Sequence, residues 1–294
     1  MIYISNLRKL PLYIFTEDLN FFYRVKKSLD DKRLRLRVLP IRNKLPRTSS
    51  IVITTVNEIE NIGFASETNI IIPYSKKDKF EHYIFKIIAA YRAGYKESYS
   101  ELLFSIDPGK KRIGIAVFLD GYYLESKCCF TPQELFKKIE FYIDYFRIYN
   151  SASIRIVFKF GIGILAIAHD LIVELFTVLK NENEKLVYLI NEFKSSKIRV
   201  DLKGRDEKIS KDEISAVILA FRHGIRVDEE TFSKVFDHLK SNGTRLDDSL
   251  LDFELISENI EKFGELTENV LKGLNSLSEV SEMVERLKST NDNT

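Results

Sequence analysis

Between Leu102 and Phe118 the chain is almost wholly apolar, then meets one acid at Asp107, turns at Pro108-Gly109, passes Lys110, Lys111 and Arg112, and becomes apolar again. Two continuous apolar runs of strand length around a Pro-Gly turn predict a buried antiparallel hairpin with a carboxylate at its mouth. Tyr122–Phe130 predicts a third antiparallel strand. Thr131-Pro132-Gln-Glu134 then predicts a helix start, with Thr131 as N-cap and proline in the first turn. Ile154–Phe160 and Leu186–Ile190 predict two more strands, separated by a helix that ends near Leu179. A last helix is expected from Lys211 to about His223, behind the capping-box pattern Ser210-Lys-Asp-Glu213. Three antiparallel strands followed by helix-linked strands predict a mixed sheet over residues 99–227.

The flanks follow other patterns. Residues 1–98 alternate strand-like runs, at Leu10–Phe15, Leu36–Ile41, Ser50–Val56 and Asn69–Pro73, with helices expected from a Thr16 cap to Leu29 and over Phe80–Arg92. This predicts a small α/β domain. No Gly-rich loop follows its first strand, so a dinucleotide site is not expected. Thr54-Thr55 stand where a phosphate-accepting aspartate would be needed. In residues 228–294 a heptad register runs through Phe253, Ile256, Ile260, Phe263, Thr267, Val270, Leu274, Leu277, Ser281 and Val284. That spacing predicts a coiled-coil seam or a helix hairpin, and a homodimer through these C-terminal helices is expected, with packing onto the same subunit as the alternative.

Charge divides the chain further. Residues 1–100 carry 18 Lys and Arg against 10 Asp and Glu, whereas residues 228–294 carry 7 against 16, which predicts different partners for the two ends. Within the basic end, strand alternation would place Arg33, Arg35 and Arg37 on one face, where they could track nucleic-acid phosphates or simply guard an exposed edge. The two cysteines, Cys128 and Cys129, are adjacent and offer neither a disulfide framework nor zinc-ligand spacing. The opening residues lack the apolar run of a signal peptide. The run from Gly161 to Val173 is too short to span a bilayer and contains His169 and Asp170. No membrane partner and a cytoplasmic location are expected.

The chemistry concentrates at the ends of elements in the middle segment: Asp107 after the first strand, Glu192 after Leu186–Ile190, and Asp212 with Glu213 opening the last helix. Carboxylates gathered from separated elements at one sheet edge can hold two divalent ions that activate water and stabilise the leaving oxygen of a phosphodiester. An all-oxygen donor set favours Mg2+ or Mn2+ over zinc. Lys110, Lys111 and Arg112, with Lys194 beside Glu192, would contact flanking phosphates. Glu213 also has a purely structural reading, as the reciprocal partner of Ser210 in the capping box.

Over residues 101–224 these motifs resemble the RuvC and YqgF group of the ribonuclease H-like superfamily. Ser105-Ile-Asp107-Pro-Gly-Lys-Lys-Arg-Ile-Gly114 is similar to that group's first strand and hairpin, whose acid binds metal. Val187-Tyr-Leu-Ile-Asn-Glu192 resembles the YqgF strand that ends in an acid, and Asp212-Glu-Ile-Ser-Ala resembles the first turn of the last RuvC helix. The chain departs from RuvC where Lys159 and Gly161 stand for a glutamate and Ser215 for a second helix acid. The resemblance implies a ribonuclease H-like fold and a metal-dependent nuclease acting on structured DNA, such as a four-way junction, or on RNA, with Asp107, Glu192 and Asp212 as catalytic ligands. A scaffold with a vestigial metal site is the alternative. An ATPase of the actin and sugar-kinase type is a lesser one, with only Gly161-Ile-Gly163 as a second phosphate hairpin.

Overall fold

The computed structural model describes residues 10–32, 34–39, 45–61, 68–180, 185–192, 198, 200, 209–242 and 259–291, and it divides into two compact units, residues 1–96 and 97–294. Both are α/β. No helix among the described residues is long and apolar enough to cross a membrane.

The first unit is a parallel sheet in the order β2-β1-β3-β4, built from β1 (Leu12–Ile14), β2 (Leu36–Val38), β3 (Ser50–Thr55) and β4 (Asn69–Tyr74). Helices α1 (Leu19–Asp30) and α2 (Phe80–Ala93) bury Phe21, Val25, Leu29, Ile84 and Ile87 against Leu12, Ile14, Ile51, Ile53 and Ile72. Two expectations change. The N-cap of α1 is Asp18, whose carboxylate accepts from the Phe21 amide, because the Thr16 hydroxyl is drawn away to donate to the Glu58 carboxylate at 2.8 Å. The basic strand shortens to three residues, so exposed Arg35 precedes it and only exposed Arg37 lies within it, donating to the Tyr13 hydroxyl. Arg33 lies outside the described residues.

The second unit is a mixed sheet in the order β10-β9-β8-β5-β6-β7. Its strands are β5 (Glu101–Pro108), β6 (Ile113–Leu119), β7 (Tyr122–Cys129), β8 (Arg155–Gly161), β9 (Lys185–Ile190) and β10 (Ile225–Val227). β5, β8 and β9 run parallel, while β6 is antiparallel to both β5 and β7, and β10 is antiparallel to β9. Helix α3 (Pro132–Tyr149) opens on the Thr131 cap, and its Tyr142 ring packs on Phe104 from one face of the sheet. Helix α4 (Leu165–Val178) links β8 to β9 and meets α6 (Phe232–Asn242) through His169, Phe176 and Phe232. Helix α5 (Lys211–Ala220) lies on the other face, burying Ala216, Val217 and Ala220 against Leu103, Ala116, Phe118 and Val157.

Strand alternation sorts the side chains between these two layers. Leu103, Ser105 and Asp107 of β5 share the α5 face, as do Gly114, Ala116 and Phe118 of β6 and Val157, Lys159 and Gly161 of β8. The apolar members of this set form the core under α5, and the polar ones and the glycines fall toward the ends of the strands.

The heptad pattern resolves into two helices, α7 (Ile260–Leu271) and α8 (Leu277–Asn291). Between them Gly273 takes a left-handed φ of 64°, with Leu274 N–H donating to Asn269 O and Gly273 N–H to Val270 O. This is a Schellman stop, and Gly273 is the residue that ends the helix. Leu266, Val270, Leu277 and Val280 are buried in the same cluster as Phe118 and Ala216, and Phe263 beside Ile218, while Leu274 is 64% exposed. The apolar seam therefore faces this chain's own sheet and α5. The part of the register that starts at Phe253 lies outside the described residues.

Candidate metal centre

β5, β8 and β9 point the same way, so their carboxyl ends share one edge. Asp107 sits at the end of β5, one residue past the pair Ile106–Phe160, which sets it beside Gly161 at the end of β8. Glu192 follows β9 by two residues, with β8 standing between it and Asp107. Its carboxylate finds room because β8 ends at Gly161 and a second glycine, Gly163, follows. A Cβ on Gly161 would overlap Glu192 Oε1, and one on Gly163 would overlap Oε2. The carboxylate lies on bare backbone and accepts from the Gly163 amide, yet its Oε1 is buried with no hydrogen-bond partner among the described residues. An unsatisfied buried carboxylate oxygen is costly, about 1–3 kcal/mol or more, which makes it a natural place for a cation.

Asp212 arrives from the opposite direction. The first turn of α5 lands on β6 at Gly114, where a Cβ would collide with the Asp212 carbonyl and leave only 2.5 Å to its carbon. Gly114 is the lateral partner of both Asp107 and Cys128, so the helix start is set down on the row Asp107–Gly114–Cys128. The start itself is locked. Ser210 Oγ accepts from the Glu213 amide, Glu213 Oε2 accepts from the Ser210 amide at 3.0 Å, and Ser126 Oγ donates to Glu213 Oε1 at 3.0 Å. Cys128 Sγ lies 2.8 Å from Ser210 Oγ and 3.7 Å from Asp212 Oδ2, and burial pushes its thiol up, away from a ligating thiolate.

The electrostatics mark the edge as acid-rich and short of donors. Burial, then the charges of Glu192 and Asp212, push the Asp107 carboxyl up to about 7, against a hydrogen bond from Ser215. Burial also raises Glu192, opposed by the Gly163 amide and by Arg222. The negative charges of Glu192 and Asp212 thus help hold the proton on Asp107. Arg222 itself is fixed by donating to Asn191 O at 2.5 Å. Lys159, on the same face, is turned away to the far end of α5, where Nζ donates to Ala220 O at 2.6 Å and Arg222 O at 2.8 Å. Burial lowers it to about 8.

A scan against protein-family models and a search of curated proteins each return no match to this chain.

Of the expected ligands, Asp107, Glu192 and Asp212 come to this edge, and Asp107 feels the charge of the other two. Glu213 stands apart from them because both of its oxygens are engaged in the helix cap and Ser126. Among the described residues no three acidic, imidazole or thiol side chains close around a single point. Lys110, Lys111 and Arg112 are exposed at the β5–β6 turn on the same edge, and Lys194 lies outside the described residues. Sequence reasoning missed Gly161 and Gly163 as the bed for Glu192; it set Ser215 where a second helix acid would stand, without its hydrogen bond to Asp107. The spacing Asp212-x-x-Ser215, one helical turn on one face, was the available signal for Ser215.

Proposed function

We propose that the second unit is a ribonuclease H-like, Mg2+- or Mn2+-dependent nuclease acting on structured nucleic acid, a branched DNA or an RNA. The observation that carries this reading is the position of Asp107: a partly buried carboxylate at a sheet edge, with its pKa pushed to about 7 beside two further carboxylates. Burial, acidic neighbours and a raised pKa converging at a strand end form the combination that functional sites build. The strand order, with parallel β5, β8 and β9 next to the antiparallel β6 and β7, supports the ribonuclease H-like assignment.

The donor set fits hard divalent cations, since every candidate ligand atom is a carboxylate oxygen and one, Glu192 Oε1, lacks a partner among the described residues. Asp107, Glu192 and Asp212 would hold the ions, which when bound supply an activated water and charge stabilisation for phosphodiester hydrolysis. Ser215 orients Asp107 through its hydrogen bond, and the capping box fixes the helix turn that presents Asp212. Lys110, Lys111 and Arg112 offer exposed cations for the phosphates that flank the scissile one. Asp107→Asn keeps the shape and removes the ligand charge. Cleavage of a four-way junction, a flap or an RNA–DNA hybrid in Mg2+ or Mn2+ should fall by at least about 100-fold, with the circular dichroism spectrum unchanged. Equal cleavage by mutant and parent removes the hydrolytic reading.

The second reading, a nucleic-acid-binding scaffold with a weak metal site, is favoured by one observation: Ser215 brings a hydroxyl, not an acid, to Asp107. It predicts salt-dependent nucleic-acid binding with no calorimetric Mn2+ site.

A further inference from the structure

An aromatic ring stands uncovered at the same edge as the acids. Phe130 is 66% exposed, although the residue before it, Cys129, is buried and the backbone around it is fixed. Its N–H donates to Glu134 Oε2 at 2.9 Å, and the next residue, Thr131, caps α3. The ring is held out by a rigid strand-to-helix junction. It also has a cation for a neighbour, with Arg112 Cζ lying 5.8 Å from the ring centroid.

Register places this pair relative to the acids. Ile113 and Cys129 are the terminal pair of β6 and β7, so Arg112 and Phe130 lie one step beyond it. By alternation they fall on the face of Gly114 and Cys128, the face that carries Asp107. Two strand spacings and two residues of rise separate Phe130 from Asp107, about 12 Å between Cα atoms. Lys110, Lys111 and Arg112, all exposed, lie in the turn that leads from Asp107 back to β6. An exposed aromatic face beside a guanidinium and two ammonium groups matches a nucleotide, with a π-surface for the base and cations for its phosphates. A paired base inside a duplex cannot present its face to a protein ring, so the matching ligand is an unpaired base.

We propose that Phe130 is a stacking platform for an unpaired nucleobase of DNA or RNA, a few nucleotides from the acidic edge, with Arg112 and the two lysines on the adjoining phosphates. The assignment rests on the nuclease reading of Asp107, Glu192 and Asp212, and it narrows the substrate to strands with an unstacked base near the acids: single strands, flaps, bulges and junctions. Phe130 is then a positioning residue, acting on how the strand lies and not on the reacting atoms.

The test uses the full chain in EDTA, so that binding is read without cleavage. Single-stranded DNA and RNA oligonucleotides carrying one 2-aminopurine at successive positions are titrated with the parent protein, Phe130→Trp and Phe130→Leu. Leucine keeps an apolar side chain and removes the π-face. The parent and Phe130→Trp should quench the fluorophore at one or two adjacent positions, and a fully paired duplex of the same sequence should not be quenched. Phe130→Leu should lose that quench and bind single strands about 5- to 100-fold more weakly. The proposal falls if no position is quenched by the parent protein, or if Phe130→Leu quenches and binds as the parent does. Position-specific quenching combined with no metal-dependent cleavage supports the platform and removes the hydrolytic reading. Cleavage lost in Asp107→Asn, with no quench anywhere, removes the platform alone.

Discussion

Two carboxylates at the ends of strands, one in each unit, show opposite solutions to the same problem. Glu58, just past β3, has its oxygens filled: the Thr16 and Thr55 hydroxyls donate at 2.8 and 2.6 Å and the Glu17 amide at 2.6 Å. These donors outweigh burial and lower its pKa. Asp107, at the end of β5, has one hydroxyl from Ser215 and two acidic neighbours, and its pKa rises to about 7. The acid residue itself says little about function. The supply of donors around it separates a carboxylate that ties a fold together from one that the fold leaves short of donors.

The largest effects should come from the glycines that make the second arrangement possible. At Gly114 an added methyl would meet the backbone of Asp212, which cannot rotate away, so the first turn of α5 must lift off β6. Gly114→Ala should therefore destabilise the second unit by about 3 kcal/mol in chemical denaturation. Gly161→Ala makes the contrasting case. The added methyl meets the end of a flexible side chain, Glu192, which can swing off. The expected cost is under about 1 kcal/mol, yet the variant should lose most of any stabilisation by Mn2+. For the parent, that stabilisation is about 3 °C in calorimetric Tm at a concentration ten times Kd. A parent protein insensitive to Mn2+ and Mg2+ would break the comparison at its root.

Next in size is the pH dependence of Asp107. Its folded pKa, about 7, lies above the ordinary value of 3.8, so the proton is held more tightly in the folded chain. The stabilisation it contributes is complete below about pH 4 and lost as pH rises through 7. Asp107→Asn should leave stability unchanged near pH 4 and raise it by about 2 kcal/mol at pH 8, less than the full shift implies because repelling side chains relax. Urea midpoints across that range measure it, and a destabilised mutant at pH 8 would mean that Asp107 is satisfied by a donor set like that of Glu58.

How far all this was legible in the chain depends on the range of the forces involved. The hairpin around Asp107, the Thr131 cap and the Ser210–Glu213 capping box are local patterns, and each is found at its expected position. The Thr16 cap failed because the hydroxyl had a stronger partner 42 residues away. The heptad showed which face of the C-terminal helices is apolar but not what covers it, and Gly273 decided the geometry by folding α8 back. Arg37 and Arg35 could be read as one basic stripe only while the strand was assumed to be long. Gly161 and Gly163 were opaque for a similar reason. Their role is to be absent beneath Glu192, and that follows only from a parallel register linking β8 to β9.

The smallest effect belongs to Glu58, and it should run in the reverse sense to that of Asp107. Its folded pKa is lowered below the ordinary 4.5, so its contribution is present above that value and disappears as pH falls through the folded pKa. Glu58→Gln keeps the size and one acceptor oxygen but replaces charge-assisted hydrogen bonds with neutral ones and forces an NH2 toward a donor. The first unit should lose about 1 kcal/mol at pH 7, and the loss should shrink as pH falls through the folded pKa. Paired with Asp107→Asn, the two isosteric substitutions should move stability in opposite directions at neutral pH. If both destabilise, the donors around Asp107 have been undercounted, and the case for a cation at that edge weakens with them.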